Sequence, residues 1–171
     1  VVNVGMTFVG MYLIDRIGRR RLLFIGFAGT ALSLGMIALA AATASESLDI
    51  LATIGMVLYI AAFAASIGPL PWVMMSEIFP LKVRSLGMSV TSLANWGFNF
   101  LVVFSFPILV SSIGLGGVFA VYALVCAAGL VFTYLLVPET SGVSLEEIER
   151  HLESGQPFRT LDAAPVRVAT A

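Results

Sequence analysis

The sequence comprises 171 residues, of which 59% are hydrophobic and only 11% are charged. Because soluble domains average about 25% charged residues, this composition argues against a water-soluble domain and predicts a membrane protein. The formal net charge of −1 gives no basis for nucleic-acid binding. A single cysteine, Cys126, cannot form an internal disulfide, and its apolar surroundings predict a packed thiol.

Five apolar segments follow one another along the chain. The first, residues 1–14, is shorter than the roughly 20 residues that a helix needs to cross a bilayer. It also begins without methionine, which predicts a span cut through within a longer protein. The four segments of full length are residues 22–42, 50–75, 85–110 and 115–137, and the predicted connectors are residues 15–21, 43–49, 76–84 and 111–114.

Basic residues occupy alternate connectors. Four arginines in the first connector, Lys82 and Arg84 in the third, and three arginines in the tail (residues 138–171) account for all nine. The second connector has only acidic charges, and the fourth has none. Because successive spans alternate sides, the three basic segments share one face, and the positive-inside rule predicts that this face is cytoplasmic.

The tail has one local pattern. Ser144 and Glu147 fit a capping box, and an apolar stripe follows them. This pattern predicts a short amphipathic helix over residues 145–153 that lies against the cytoplasmic face.

The second full span contains the sequence "SIGPLPW" at residues 66–72. Two prolines remove two backbone donors, and Gly68 permits further bending. Broken helices at membrane depth are typical of transport sites, and Trp72 follows the break directly. A passive kink is the alternative interpretation.

Polar residues recur in the third full span. Thr91, Asn95 and Asn99 lie four residues apart on one stripe of a helix, and Ser92 and Trp96 form the neighbouring stripe. Hydrogen bonding between helices and the lining of a cavity explain the asparagines equally well. An aromatic face in mid-span, where no interfacial belt is expected, favours the cavity.

Asn3 and Thr7 repeat this spacing in the first segment, where helix packing and cavity lining again remain open. No constellation of residues predicts catalysis. The only histidine, His151, lies in the tail, and "GLGG" at residues 114–117 lacks the strand and third glycine of a phosphate loop. We therefore expect no enzyme activity, no cofactor and no metal.

Four motifs in chain order resemble those of the sugar porters of the major facilitator superfamily. "DRIGRRRLL" is similar to their D-R-x-G-R-R signature between the eighth and ninth spans, and "GPLPWVMMSEIFPLKVR" is similar to their tenth-span signature ending E-x-F-P-x-x-x-R. "NW" at residues 95–96 fits their eleventh span, and "VPETSGVSLEEIE" resembles their closing P-E-T-K-G motif, with Ser141 in place of lysine. The resemblance covers nearly the whole chain and implies that it runs from the end of span eight to the C-terminal tail.

This resemblance implies an all-α transmembrane fold of twelve helices in two halves, with sugar held between them and moved by alternating access. The implied partners are a sugar, protons, the lipid bilayer and the missing N-terminal spans of the same protein. Short loops and a short tail are typical of bacterial inner-membrane members, in which proton symport is the more common mode. A facilitative sugar or polyol uniporter and a non-transporting sugar receptor on the same fold are the alternatives.

The resemblance also implies two sets of functional residues. The family's sugar contacts fall on Asn3, Gly68, Trp72, Asn95 and Trp96, with Asn99 added from its place on the same stripe. The family's cytoplasmic charge network falls on Asp15, Arg16, Arg19, Arg20, Glu77, Arg84 and Glu139. Glu77 and Arg84 are expected to reach the "DRIGRR" cluster and to hold a gate, whereas a role in topology alone is the alternative. Ala64 stands where some facilitative members have glutamate. The resemblance therefore leaves open whether the site in this chain has the polarity that it has in that subgroup.

Overall fold

The computed structural model describes residues 2–43, 46–79, 83–137 and 139. Over these residues the chain is helical apart from short turns and contains no strand, so the expected all-α class is confirmed. The helices are α1 (Val2–Ile17), α2 (Arg19–Thr43), α3 (Glu46–Ala62), α4 (Leu70–Ile78) and α5 (Arg84–Leu136). A single π-helical turn, Phe63–Ile67, lies between α3 and α4.

The first connector is much shorter than its charges indicated. Helix α1 continues through Ile17, α2 begins at Arg19, and Gly18 between them adopts a φ of +91°. Arginine is a good helix former, and the arginines at residues 19–21 form the first turn of α2 instead of a loop. The predicted connector at residues 15–21 is thereby reduced to one glycine.

Helix α5 runs through the predicted connector at residues 111–114. Ser111 and Ser112 lie within the helix, and their hydroxyls donate to the Ile108 carbonyl over 2.8 and 3.0 Å. Only Gly114 leaves helical geometry, with φ 73° and ψ 167°. The connector is therefore a kink at one glycine, which divides α5 into a first half (residues 84–113) and a second half (residues 115–136).

The second full segment is interrupted, as its prolines predicted. The interruption begins with the π-helical turn at Phe63, three residues before the quoted "SIGPLPW", and α4 resumes at Leu70 with Pro69 as its N-cap. Proline is tolerated in the first turn of a helix, because the amides there have no intrahelical acceptor. The two prolines therefore begin α4 instead of kinking a continuous helix.

Helix α2 lies at the centre of the packing. It contacts α3 and α5 most extensively, and Leu22, Thr30 and Leu34 are among its buried residues. Gly116 in the second half of α5 lies against the backbone of α2, where an added Cβ would be 3.1 Å from the Ala38 carbonyl oxygen. Close approach through small residues is the usual way that helices associate in membranes.

Within the part of the chain that the structure describes, three helical segments are long and apolar enough to cross a membrane: Arg19–Thr43, Ile50–Met75 and Arg84–Leu136. The last covers two of the predicted spans. At 1.5 Å per residue a helix of its length would extend about 80 Å, more than twice the hydrocarbon thickness of a bilayer. The helix predicted at residues 145–153 lies outside the described residues.

Candidate functional site

The π-helical turn is wedged between two neighbouring helices. Ser66 is buried, and its hydroxyl donates to the Ala62 carbonyl over 2.7 Å. A methyl group on Gly26 of α2 would overlap this hydroxyl, and one on Gly10 of α1 would overlap the Ala65 carbonyl oxygen. The absence of a side chain at these two glycines therefore allows the interrupted segment to sit directly against both helices.

Gly68 and Trp72 come directly after this turn. The Gly68 amide donates to the Phe63 carbonyl over 2.8 Å, which closes the turn. Trp72 lies one turn further along, in α4, with 41% of its surface exposed. The interruption thus presents a partly exposed indole next to backbone that is not in regular α-helical hydrogen bonding.

The polar stripe of the third full segment lies on the first half of α5. Thr91 is turned back on its own helix, where its hydroxyl donates to the Gly87 carbonyl over 2.9 Å. Asn95, Trp96 and Asn99 are exposed, as is every residue from 93 to 104. Their side chains form no hydrogen bond with any residue that the structure describes. Their polar groups are thus available to a ligand or to another part of a larger protein.

The six candidate sugar contacts are distributed over three helical elements. Asn3 lies exposed in α1, where its backbone carbonyl accepts a hydrogen bond from the Thr7 hydroxyl over 2.8 Å. Gly68 and Trp72 lie at the interruption, and the remaining three residues lie in α5. Within the described residues, no hydrogen bond or ring contact joins these three groups. The structure places the elements but does not close a pocket around the six.

Part of the predicted charge network comes together where α2 begins. One carboxylate oxygen of Glu139 accepts from the Arg19 amide over 2.8 Å, and the other accepts from the Arg20 amide over 3.2 Å. These amides belong to the first turn of α2, whose free donors and dipole favour an anion. The Arg20 guanidinium in turn donates to the Tyr134 carbonyl over 2.8 Å. Glu139 thus ties the segment after α5 to the start of α2.

The other network residues lie apart from this contact. The Arg16 guanidinium lies 4.6 Å from the ring centre of Tyr12. Arg84 donates through Nε to the carbonyl of Phe79, the C-cap of α4, over 3.1 Å. It forms no ion pair with the described residues of the α1–α2 cluster. The side chains of Asp15 and Glu77 lie outside the described residues.

Two glycines important to this geometry were not identified from the sequence. An added Cβ on Gly18 would lie 2.5 Å from the Glu139 carboxylate. Glycine therefore suits this position for two reasons: it adopts a positive φ readily, and it leaves space for the carboxylate. The absence of a side chain at Gly26 leaves the space that the Ser66 hydroxyl occupies. The only sequence signal for Gly18 is its position between two helical segments, and Gly26 is indistinguishable from the other span glycines.

Within the described residues, no group of three His, Cys, Asp or Glu side chains could hold a metal ion.

Comparison with known proteins places this helical arrangement in a class of membrane transporters. The sequence model described as "Sugar (and other) transporter" matches residues 1–152. The inward-open xylose transporter XylE from E. coli has a similar structure, with a TM-score of 0.82 and 33% sequence identity over 88% of this chain and 34% of that protein.

Individual relatives agree with this class. The chain is 42% identical to the D-xylose-proton symporter-like 2 protein of Arabidopsis thaliana over 149 residues, or 87% of this chain and 29% of the relative. It is 38% identical to the major myo-inositol transporter IolT of Bacillus subtilis over 156 residues, or 90% of this chain and 33% of the relative. The chain therefore belongs to the sugar porter family of the major facilitator superfamily and is a multi-pass membrane protein. It spans about a third of the length of the curated relatives that it matches.

Proposed function

We propose that this chain forms the C-terminal part of a twelve-helix transporter that moves a sugar across the cell membrane by alternating access. The single observation that supports this most strongly is the interrupted helix, with Gly68 and Trp72 next to non-α-helical backbone inside a segment long and apolar enough to cross a membrane. Such interruptions are costly in lipid unless protein or a water-filled cavity covers them. They are a common feature of transport sites near the bilayer midplane.

The exposed groups of the proposed site have a chemistry that is complementary to a sugar. The amides of Asn95 and Asn99 each donate and accept hydrogen bonds, which suits the hydroxyls of a sugar. The rings of Trp72 and Trp96 offer apolar faces, and ligand pockets combine such faces with a few polar groups. Asn3 contributes a further amide from α1. We propose that spans outside this chain cover the stripe of Asn95 and Asn99 and complete the cavity.

The orientation is proposed from the basic segments. Residues 15–21, residues 76–84 and the tail would face the cytoplasm, as the distribution of lysine and arginine indicates. In that orientation the contact between Glu139 and α2 lies at the cytoplasmic end of the helices. The amphipathic helix at residues 145–153 would lie against the same membrane surface.

Proton coupling is the preferred mode, and any acid that binds the proton would lie outside this chain's spans. Residues 22–42, 50–75, 85–110 and 115–137 contain no Asp, Glu, His, Lys or Arg. The relatives include proteins named as proton symporters and one named "Facilitated trehalose transporter Tret1", which is 40% identical over 157 residues. Symport and uniport therefore both remain within the family's range.

Uptake by the full-length protein in proteoliposomes tests the proposal. D-xylose, myo-inositol and trehalose would be supplied as radiolabelled substrates, with and without an inward proton gradient. A symporter accumulates one of them only with the gradient, whereas a uniporter equilibrates it in both conditions. Saturable binding without uptake would identify a receptor, and neither binding nor uptake for any sugar or polyol would contradict the proposal.

A further inference from the structure

A cavity of about 670 Å³ opens at the end of the bundle where α2 begins and α5 ends. Its lining includes Arg20, Arg21, Phe24, Ile25, Tyr134 and Glu139. The four residues from α2 are two pairs spaced four apart, so they cover one face of its first two turns. The candidate sugar contacts do not line this cavity.

The two arginines that line the cavity differ in the contacts that their side chains make. The Arg20 guanidinium is held at the Tyr134 carbonyl. Arg21 is exposed and forms no hydrogen bond or ion pair with the residues that the structure describes. The Glu139 carboxylate is directed at the backbone amides of α2, so much of its charge is already compensated. Among the described residues that line the cavity, Arg21 is therefore the cation that is open to an external partner.

The polar and apolar parts of the lining are separated along α2. Arg20 and Arg21 lie in the first turn, and Phe24 and Ile25 lie one turn, or about 5.4 Å, further along the helix. The exposed fractions of Phe24, Ile25 and Tyr134 are 39%, 55% and 58%. Because α2 is long and apolar enough to cross the membrane, these apolar side chains lie deeper than the arginines. This order matches that of a phospholipid, with its charge at the surface and its chains beneath.

We infer that this cavity binds an anionic phospholipid, with the phosphodiester between Arg20 and Arg21 and the acyl chains along Phe24 and Ile25. Basic pockets between membrane helices are known to hold anionic headgroups, and anionic lipids are enriched in the cytoplasmic leaflet. Guanidinium groups suit this role because they bind phosphate oxygens through two parallel hydrogen bonds. The inference rests on the proposed cytoplasmic orientation of the basic segments and not on the identity of the transported sugar.

Spin-labelled lipids bound to the full-length protein test the site. We expect phosphatidylglycerol to be preferred over phosphatidylcholine, and we expect Arg21→Gln to reduce this preference about fivefold. Arg16→Gln is the matched control, because it removes the same charge from the same basic segment at a side chain packed on Tyr12, outside the cavity. An equal loss in both variants, or no preference in the unaltered protein, would overturn the inference.

A second comparison separates a lipid from a free phosphate. Phe24→Ala is expected to weaken phosphatidylglycerol binding severalfold, because it removes the surface beneath the headgroup. Millimolar inorganic phosphate is expected to displace the lipid poorly. Complete displacement by phosphate together with unchanged lipid binding in Phe24→Ala would identify a free-anion site and overturn the assignment to a lipid.

Discussion

The carboxylate of Glu139 caps the helix that begins at Arg19, 120 residues earlier in the chain, through a hydrogen bond of 2.8 Å to the Arg19 amide. The contact joins the segment that follows α5 to the first turn of α2. An anion at this position compensates the positive end of the helix dipole and satisfies amides that have no intrahelical acceptor. Glu139, which the resemblance implies to belong to a charge network, therefore also accepts hydrogen bonds from two backbone amides.

Replacing Glu139 tests this cap. Glu139→Ala is expected to lower the free energy of unfolding by about 1–2 kcal/mol, because two amides of α2 lose their acceptor. Glu139→Gln keeps one acceptor oxygen without the charge and is expected to cost less. Thermal unfolding of the full-length protein in detergent measures both variants. Equal stability of Glu139→Ala and the unaltered protein would show that the cap has no structural role.

Gly18 is expected to tolerate no side chain. Its φ of +91° disfavours any residue with a Cβ, and that Cβ would lie 2.5 Å from the Glu139 carboxylate. Gly18→Ala is therefore expected to cost about 1–3 kcal/mol. Gly35→Ala in α2 is the control, since nothing lies within 4 Å of the added methyl group and alanine favours the helix. Similar melting temperatures for the two variants would contradict the assigned geometry.

The contact between Gly26 and Ser66 predicts coupling between two distant positions. Gly26→Ala forces its methyl group onto the Ser66 hydroxyl and is expected to destabilise the protein by about 1–3 kcal/mol. Ser66→Ala in that background removes the hydroxyl and is expected to recover part of the loss. A double-mutant cycle on unfolding measures the coupling, which we expect to exceed about 0.5 kcal/mol. Additive effects would show that the two residues do not touch.

The proposed gate gives a functional prediction for Arg84. Charge pairing at the cytoplasmic ends of the two halves would stabilise the outward-facing state, so Arg84→Ala and Glu77→Gln are each expected to favour the inward-facing state and to slow transport. Exposed pairs contribute only about 0–1 kcal/mol each, so we expect the ratio of the two states to shift severalfold at most. Accessibility labelling from both membrane sides measures the ratio.

Arg84→Gln separates the gate from a local role, because it can still donate to the Phe79 carbonyl but lacks the charge. If its ratio of states resembles that of Arg84→Ala, the charge holds the gate. If it resembles that of the unaltered protein, the hydrogen bond to Phe79 accounts for the effect and the gate assignment is wrong.

Hydropathy and proline placement were sufficient to predict the helical class and the interrupted segment, because both depend on local chemistry. The lengths of the connectors were not predictable in the same way. A cluster of arginines at residues 19–21 is compatible with helix and with loop alike, and only the backbone shows that Gly18 alone separates α1 from α2. Likewise, Ser111 and Ser112 were predicted to lie in a connector, but they lie within α5, and only Gly114 departs from helical geometry there.

The candidate site was predictable in its residue types but not in its geometry. Spacing places Asn95 and Asn99 on one stripe of a helix, and the structure leaves both exposed there. The distance of that stripe from Trp72 depends on how separate helices pack, which no local pattern encodes. The cap by Glu139 could not be predicted from the sequence either, since its partners are backbone amides 119 and 120 residues away.

The central claim is that the interrupted helix and the stripe on α5 contact a sugar, and equilibrium binding of the transported sugar to the full-length protein tests it most directly. Leu93→Ala is the matched control, because Leu93 is 75% exposed on α5 and lies about 160° around the helix from Asn95. We predict that Trp72→Ala and Asn95→Ala each weaken binding about tenfold or more, while Leu93→Ala leaves it unchanged. Unaltered binding in both Trp72→Ala and Asn95→Ala, in folded protein, would contradict the assignment.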